Sequence, residues 1–377
     1  MNAAVVWEQG GRFELVDLEL APLRAGEVRV RLVAVGVCHA DLIARDQMYP
    51  VHLPAVLGHE GAGIVEAVAT DVTSLVIGDH VLLSFNFCGE CSHCFAGYPG
   101  NCVHTAAYNF GGLRLDGGTS LHAGDQPVAS WFFGQSSFAE RVNVEARIAT
   151  RVGRDVSLAL AAPLGCSFMA GMGAVWNTLN PQQGEGIAIF GVGGVGASAV
   201  AAARATGCDP VIAIDVSERN LTVARKLGAT HVVNATAEDP VIAIRAITNG
   251  AGIAHAVDAS GVALVFGQLI DSLAVRGHGV MVGAPPPGET MPLQLNRALS
   301  DGLRLSFVLE GDAEPRTFIP RALDAITSGD IDLSPLITYF RFDEINEAIA
   351  RLEAGDVAKA VLLFDYTSGG VDDDGRH

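Results

Sequence analysis

Cys88, Cys91, Cys94 and Cys102 are separated by two, two and seven residues, and no other feature of the chain restricts its folding as much. A short loop that gathers four soft thiolates can close around one Zn²⁺ tetrahedrally with little support from the rest of the fold. Two alternatives fit less well. Disulfide knots serve chains too short to build a core, whereas this one has 377 residues, 49% of them hydrophobic. Iron–sulfur loops also open with Cys-x2-Cys-x2-Cys, but their fourth cysteine follows after three residues and precedes proline. Here it follows after seven and precedes Val103. The spacing predicts a structural zinc lobe over 86–103.

The length implies two domains, or one large domain with an insertion. The 42 acidic residues outnumber the 24 basic ones, giving a formal charge of −18. That balance argues against nucleic acid or an anionic membrane as partner. Residues 1–10 show neither a basic n-region nor an apolar h-region, and the longest uncharged stretch, 187–203, is too short and too Gly-rich to span a bilayer. With metal-like cysteine spacing, this leads to the expectation of a cytoplasmic protein. The acidic, Gly-rich tail 367–377 is expected to be disordered.

The first third reads as β structure: 28–35 alternates around Arg29 and Arg31, and 61–68 and 80–83 are apolar runs near glycines. From about Gly186 strands and helices alternate. Strands are predicted at 187–190, 210–214, 231–234, 253–258 and 279–282. Between them lie an Ala-rich helix ending near Gly207, a helix capped by Ser217 and ending at Gly228, one opened by Asp239-Pro240, and one over 263–276. Such alternation implies a parallel, doubly wound α/β sheet. After Pro285-Pro286-Pro287 the pattern is mixed, with strands at 336–342 and 359–364 around a helix capped by Asp343. The simplest architecture is a nucleotide-binding domain, 164–299, inserted between two pieces of a mostly β domain, 1–163 and 300–377.

Gly191-Val192-Gly193-Gly194-Val195-Gly196 follows a predicted strand and opens a predicted helix, and Asp215 ends the next strand. In that context the glycines form a dinucleotide loop. Gly191 permits the tight turn. Gly193, with Gly194 and Val195, lets backbone N–H groups approach a pyrophosphate at the helix N-terminus, and Gly196 allows close helix–strand packing. Asp215 can accept from ribose hydroxyls and repel a 2′-phosphate, which favours NAD over NADP; the alternative is a helix N-cap aspartate.

Further potential metal ligands stand at Cys38, His59 and Cys166, too far apart for spacing to link them. Taken together, the stretches Gly-Val-Cys-His-Ala-Asp from Gly36, Gly-His-Glu-Gly from Gly58, the four-cysteine lobe, Leu-Gly-Cys from Leu164, the glycine loop and Val-Gly-Ala-Pro-Pro from Val282 resemble the zinc-dependent medium-chain alcohol dehydrogenases. The likeness spans almost the whole chain. Phe132-Phe133-Gly134-Gln135-Ser136-Ser137-Phe138 and Glu310-Gly311-Asp312-Ala313-Glu314-Pro315 resemble the bacterial aryl-alcohol (benzyl alcohol) and terpene-alcohol (geraniol) dehydrogenases.

This resemblance implies a Rossmann domain plus a GroES-like catalytic domain, two zinc ions per chain, NAD, an apolar alcohol or aldehyde substrate, and a homodimer or homotetramer. It assigns a catalytic zinc to Cys38, His59 and Cys166, with a fourth position for water or substrate. It sets Asp41 on the His59 imidazole, Glu60 behind the metal, and Phe132 and Phe133 at the substrate pocket. His39 and Lys359 match positions that bring basic groups to the cofactor pyrophosphate, with ordinary solvated surface as the alternative.

Three positions depart from the family pattern. Two residues after the first zinc cysteine the family carries Ser or Thr, whose hydroxyl takes the proton leaving the alcohol. Here that residue is Ala40; the relay His that some members place five residues after the cysteine is Ile43, and the family's Thr beside the nicotinamide is Ala170. The expected activity is therefore alcohol/aldehyde oxidoreduction, with reduction of a C=C or C=N bond, which needs no alkoxide, as the second expectation.

Overall fold

The computed structural model describes residues 1–364; the tail 367–377 lies outside the described residues. The chain divides into two units. The first comprises Met1–Cys166, Pro315–Leu323 and the residues from Ile337 onward, and the second Ser167–Glu314 and Asp324–Leu336. The main stretch of the second unit lies, in sequence, between two pieces of the first. Cys166 belongs to the first unit, and the second runs on to Glu314.

The first unit is built on β1 (Glu27–Val37), followed at once by helix α1 (His39–Arg45), then β2 (Glu60–Val68), β3 (His80–Leu83), β4 (Arg141–Glu145) and β5 (Ala149–Val152). The sheet runs β5-β3-β2-β1 and continues through Lys359–Leu363 to Ile337–Arg341, with β4 also pairing β1. Along β1, Val28, Val30, Leu32 and Ala34 are buried while Arg29, Arg31 and Val33 are partly exposed, as a half-buried strand requires. From Ala34 to Val37 the alternation stops and every residue is buried. At that end Gly36 pairs with Glu60 and Val37 with Ala360. Strand register thus gathers three distant stretches of sequence at one corner of the sheet.

The second unit holds a six-stranded parallel sheet. In chain order its elements are β6 (Ile187–Phe190), α2 (Gly194–Thr206), β7 (Val211–Asp215), α3 (Glu218–Lys226), β8 (His231–Asn234), α4 (Pro240–Ile247), β9 (Ile253–Asp258), α5 (Ala263–Ser272), β10 (Leu273–Met281) and β11 (Arg304–Phe307). The strand order β8-β7-β6-β9-β10-β11 reverses direction between β6 and β9, the point where doubly wound sheets take ligands. Phe190, Ile212, Ile214, Ile244, Phe266 and Leu269 form its core. Burial of each such side chain stabilises the unit by about 1.5–3 kcal/mol. Ser217 accepts from Asn220 N–H and Asp239 from Val241 and Ile242 N–H, so both predicted caps are formed.

The helix expected over 263–276 ends at Ser272, and Leu273 begins β10. The stretch 269–275, two apolar segments around Asp271-Ser272, suits either state by pattern. Pairing of Leu273 with Ile253 and of His278 with His255 decides for the strand, and Arg276 takes up the irregularity at φ 65°.

Candidate metal centre and cofactor site

In the lobe, the four sulfurs of Cys88, Cys91, Cys94 and Cys102 lie within 4.8 Å of one another. Cys91 and Cys94 sulfurs are 3.5 Å apart and those of Cys88 and Cys94 3.8 Å. Backbone N–H groups point at them: Cys91 and Glu90 donate to Cys88 Sγ at 3.3 and 3.5 Å, and Cys88 and His104 to Cys102 Sγ, both at 3.4 Å. Such donors stabilise thiolate charge, and those of Cys94 and Val103 bring the Cys91 thiol down to about 6. Four converging thiols ringed by amide donors are a donor set for one tetrahedral Zn²⁺. None of the cysteines forms a disulfide among the described residues.

The second cluster sits at the sheet corner. Cys38 caps α1 in extended conformation, His59 immediately precedes β2 and Glu60 opens it, and Cys166 follows the turn Ala162–Gly165. Their ligand atoms also lie within 4.8 Å of one another. Strand pairing and two glycines make this convergence possible. A Cβ on Gly36 would meet Glu60 Oε2 at 1.9 Å, and one on Gly165 would meet the Leu83 carbonyl at 2.0 Å.

Asp41 is fully buried and organises the first half of the cluster. Its Oδ1 lies 2.8 Å from His59 Nδ1 and accepts from Gly58 N–H at 3.0 Å; its Oδ2 accepts from Cys38 N–H at 2.9 Å. With Nδ1 taken up by the carboxylate, Nε2 faces the two thiols, buried and without a hydrogen-bond partner among the described residues. A buried imidazole nitrogen left over beside two thiols fits a metal ion. Burial opposes charge on His59, but Asp41 outweighs it and holds the imidazole well above its ordinary range. A hydrogen bond with Cys166 holds the Cys38 thiol well below its usual value against the opposing effect of burial.

Lys359 opens the strand Lys359–Leu363 and lies beside Glu60. It is buried, its Nζ 2.5 Å from Glu60 Oε2 and donating to the Val37 carbonyl at 2.9 Å. Burial disfavours the ammonium, yet Glu60 keeps the amine above its ordinary value. Its environment is thus an ion pair beside the ligand cluster and not solvated surface. His39, by contrast, is exposed at the first position of α1. Ala40 is half-buried in the same turn, between Cys38 and Asp41.

Phe132 and Phe133 are both buried against His59. The Phe133 ring stacks on the imidazole at 4.2 Å and Phe132 meets it edge-on at 5.5 Å. Phe110 extends the aromatic row from Phe133 at 5.4 Å, and Tyr49 lies 5.5 Å beyond.

In the second unit the glycine loop joins β6 to α2. Gly191 has φ 81°, and a Cβ on Gly196 would meet the Gly191 carbonyl at 1.8 Å. Gly193 is exposed, and a Cβ there would meet nothing within 4 Å, so ligand atoms can approach the backbone at the helix start. Asp215 is not an N-cap, since Ser217 caps α3. Its carboxylate accepts from Val192 N–H at 2.6 Å and from Ser217 N–H at 2.8 Å. It thereby ties the glycine loop to the end of the next strand.

The sequence reading missed three contributors. Gly36 had a signal, because a glycine inside an apolar strand marks a close approach. The Glu60–Lys359 pair and the hydrogen bonds that Gln135 Nε2 donates to the His59 and Ser84 carbonyls had none, for nothing local links residues 60, 135 and 359.

Residues 24–154 match the alcohol dehydrogenase GroES-like domain family, and residues 194–328 match the zinc-binding dehydrogenase family. The chain is 44% identical over 365 residues to a geraniol dehydrogenase of Castellaniella defragrans, covering 96% of this chain and 97% of that one. Among solved structures it is similar to an alcohol dehydrogenase zinc-binding domain protein from Burkholderia ambifaria, with TM-score 0.95 and 42% identity over 97% of this chain and 99% of the other. It is also similar to benzyl alcohol dehydrogenase from Acinetobacter calcoaceticus, with TM-score 0.93, 39% identity and the same coverage.

Proposed function

This chain belongs to the zinc-dependent medium-chain alcohol dehydrogenases, and we propose that it moves a hydride between NAD and the carbinol carbon of an aryl or allylic primary alcohol or its aldehyde. One observation carries the reading: the ligand atoms of Cys38, His59 and Cys166 converge within 4.8 Å around a buried imidazole nitrogen lacking a partner among the described residues. These three residues would hold a zinc ion with an open fourth position, and the ion supplies Lewis acidity toward a hydroxyl or carbonyl oxygen. The chain's own groups set the conditions. Asp41 fixes the His59 tautomer, and the Glu60–Lys359 pair balances charge beneath the cluster. Phe132 and Phe133 provide an apolar wall suited to a flat unsaturated substrate.

The four-cysteine lobe would hold a second, structural zinc. NAD would lie on the second unit, its pyrophosphate at Gly193, Gly194 and Val195 and its ribose at Asp215. The nicotinamide supplies or accepts the hydride. Relatives named for geraniol and for benzyl alcohol support allylic and benzylic substrates. They favour alcohol chemistry over the C=C or C=N reduction that Ala40 suggests.

Exposed Leu264, Leu295, Leu299 and Phe307, the last on the edge strand β11, support a homodimer or homotetramer formed through the second unit. No single helix among the described residues is long and apolar enough to cross a membrane. Six of the seven cysteines stand in the two clusters, which supports a reducing, cytoplasmic setting. A panel of benzylic, allylic and aliphatic alcohols and aldehydes, with enals, scored by NADH absorbance tests the reading. Turnover of enals at C=C with none of any alcohol would overturn it.

A further inference from the structure

The segment after Trp131 has an unusual backbone. Phe133, Gly134 and Ser136 have φ of 52°, 71° and 51°, so two non-glycine residues occupy the left-handed region within four positions. Such conformations persist only where surrounding interactions over-determine them, and they cluster at functional sites. Here the surroundings are explicit. A Cβ on Gly134 would meet Asn86 Cβ at 2.7 Å, Ser137 N–H donates to the Gly58 carbonyl at 2.8 Å, and Phe138 N–H to the Leu57 carbonyl at 2.9 Å.

The product of this turn is the placement of one buried amide. Gln135 Nε2 donates to the His59 carbonyl at 2.8 Å and to the Ser84 carbonyl at 3.1 Å. Its Oε1 accepts from Gly61 N–H at 3.1 Å and from the Ser137 hydroxyl. Both donors and both acceptor positions are used. The location matters because β2 and β3 pair only from Ala62↔Leu82 to Ile64↔His80. Beyond that rung the strands part, leaving His59 O, Gly61 N–H and Ser84 O without a ladder. The Gln135 side chain takes the place of the missing peptide. His59 is thereby held at three points: Nδ1 by Asp41, its ring face by Phe133, and its backbone by Gln135.

We propose that Gln135 is a positioning residue for His59, so that metal retention at the Cys38–His59–Cys166 cluster is set in part by an amide that never touches the ion. The proposal rests on the reading of that cluster as a zinc site. Loss of an outer-shell partner typically costs roughly 10–100-fold in metal affinity. In the full-length protein, Gln135→Met keeps the side-chain length and removes all four hydrogen bonds. Two measurements apply: metal equivalents per chain by elemental analysis, and the rates at which each is released to a colorimetric chelator.

The expected result is one ion leaving roughly 10–100-fold faster while the four-cysteine ion leaves at the unmodified rate. Ser137→Ala, which removes one of the bonds to Gln135, should give a smaller change in the same ion. Equal acceleration of both ions, or of neither, overturns the proposal, because the first indicates general loosening and the second no role. Should Gln135→Met fail to fold, Gln135→Glu decides by the same comparison, since it preserves shape and Oε1 but loses the amide donors. If the unmodified protein holds a single equivalent that Cys38→Ala leaves in place, the zinc reading itself falls, a result distinct from the outcomes above.

Discussion

Replacing Asp215 with glycine should have two separable effects on cofactor binding. The carboxylate accepts from Val192 N–H at 2.6 Å and from Ser217 N–H at 2.8 Å, so its removal loosens the glycine loop for any dinucleotide. That loss is shared by NADH and NADPH and amounts to about 1 kcal/mol at a half-buried position. Discrimination comes from the other effect. Hydrogen bonds from ribose hydroxyls to a charged acceptor contribute about 1.5–3 kcal/mol. Relief of carboxylate–phosphate repulsion adds about 1 kcal/mol once solvent screening reduces the Coulomb value. The ratio of NADPH to NADH dissociation constants should therefore fall by about 10²- to 10³-fold, while NADH itself weakens. Fluorescence titration of both reduced cofactors against the unmodified protein, Asp215→Gly and Asp215→Asn measures this. Asp215→Asn keeps an acceptor for the loop, so it should lose less of the shared affinity. A ratio that moves less than about threefold in a variant that still binds NADH would refute the ribose assignment, as would an unmodified protein indifferent to the 2′-phosphate.

Elemental analysis should find two zinc equivalents per chain, with Cys38→Ala losing one and keeping the lobe ion. Ala40→Thr restores a hydroxyl in the turn between Cys38 and Asp41 and should raise alcohol oxidation near neutral pH, up to about 10²-fold for one proton-transfer group. An unchanged rate in a variant that still binds zinc and NAD would remove position 40 from the proton path. His278 is lowered to about 4 by burial, Arg304 and His255, so the folded protein resists a proton that the unfolded chain accepts near 6.5. Its contribution is complete above pH 6.5 and lost as pH falls toward 4. His278→Gln should gain about 1–2 kcal/mol relative to the unmodified protein between pH 7 and 4, after allowance for solvent screening; parallel melting curves at every pH would disprove this.

The features that were legible from sequence are those made within one stretch of chain. The four-cysteine lobe needs only its own loop, and the glycine loop needs a strand before it and a helix after it, both of which periodicity supplies. The caps at Ser217 and Asp239 are equally local. Where two states shared one pattern, as at 269–275, only the partner strand could choose between them.

Residue types alone thus set out the chemical groups on offer: soft metal ligands, a glycine-rich turn at a helix start, and a carboxylate at the end of the next strand. Tertiary structure decided where that chemistry is assembled. Cys38, His59 and Cys166 meet because Gly36 pairs with Glu60 and because Gly165 lies against the Leu83 carbonyl, contacts between residues more than twenty positions apart. Lys359, nearly 300 residues beyond Glu60, reaches it only through the pairing of Val37 with Ala360. Gln135 carried no local sign of its role, since a lone amide gains meaning only where two strands part and leave backbone groups to satisfy. Short-range patterns record propensity and donor type, whereas sheet register, which places these groups within a few ångströms, is settled by the packing of the whole unit.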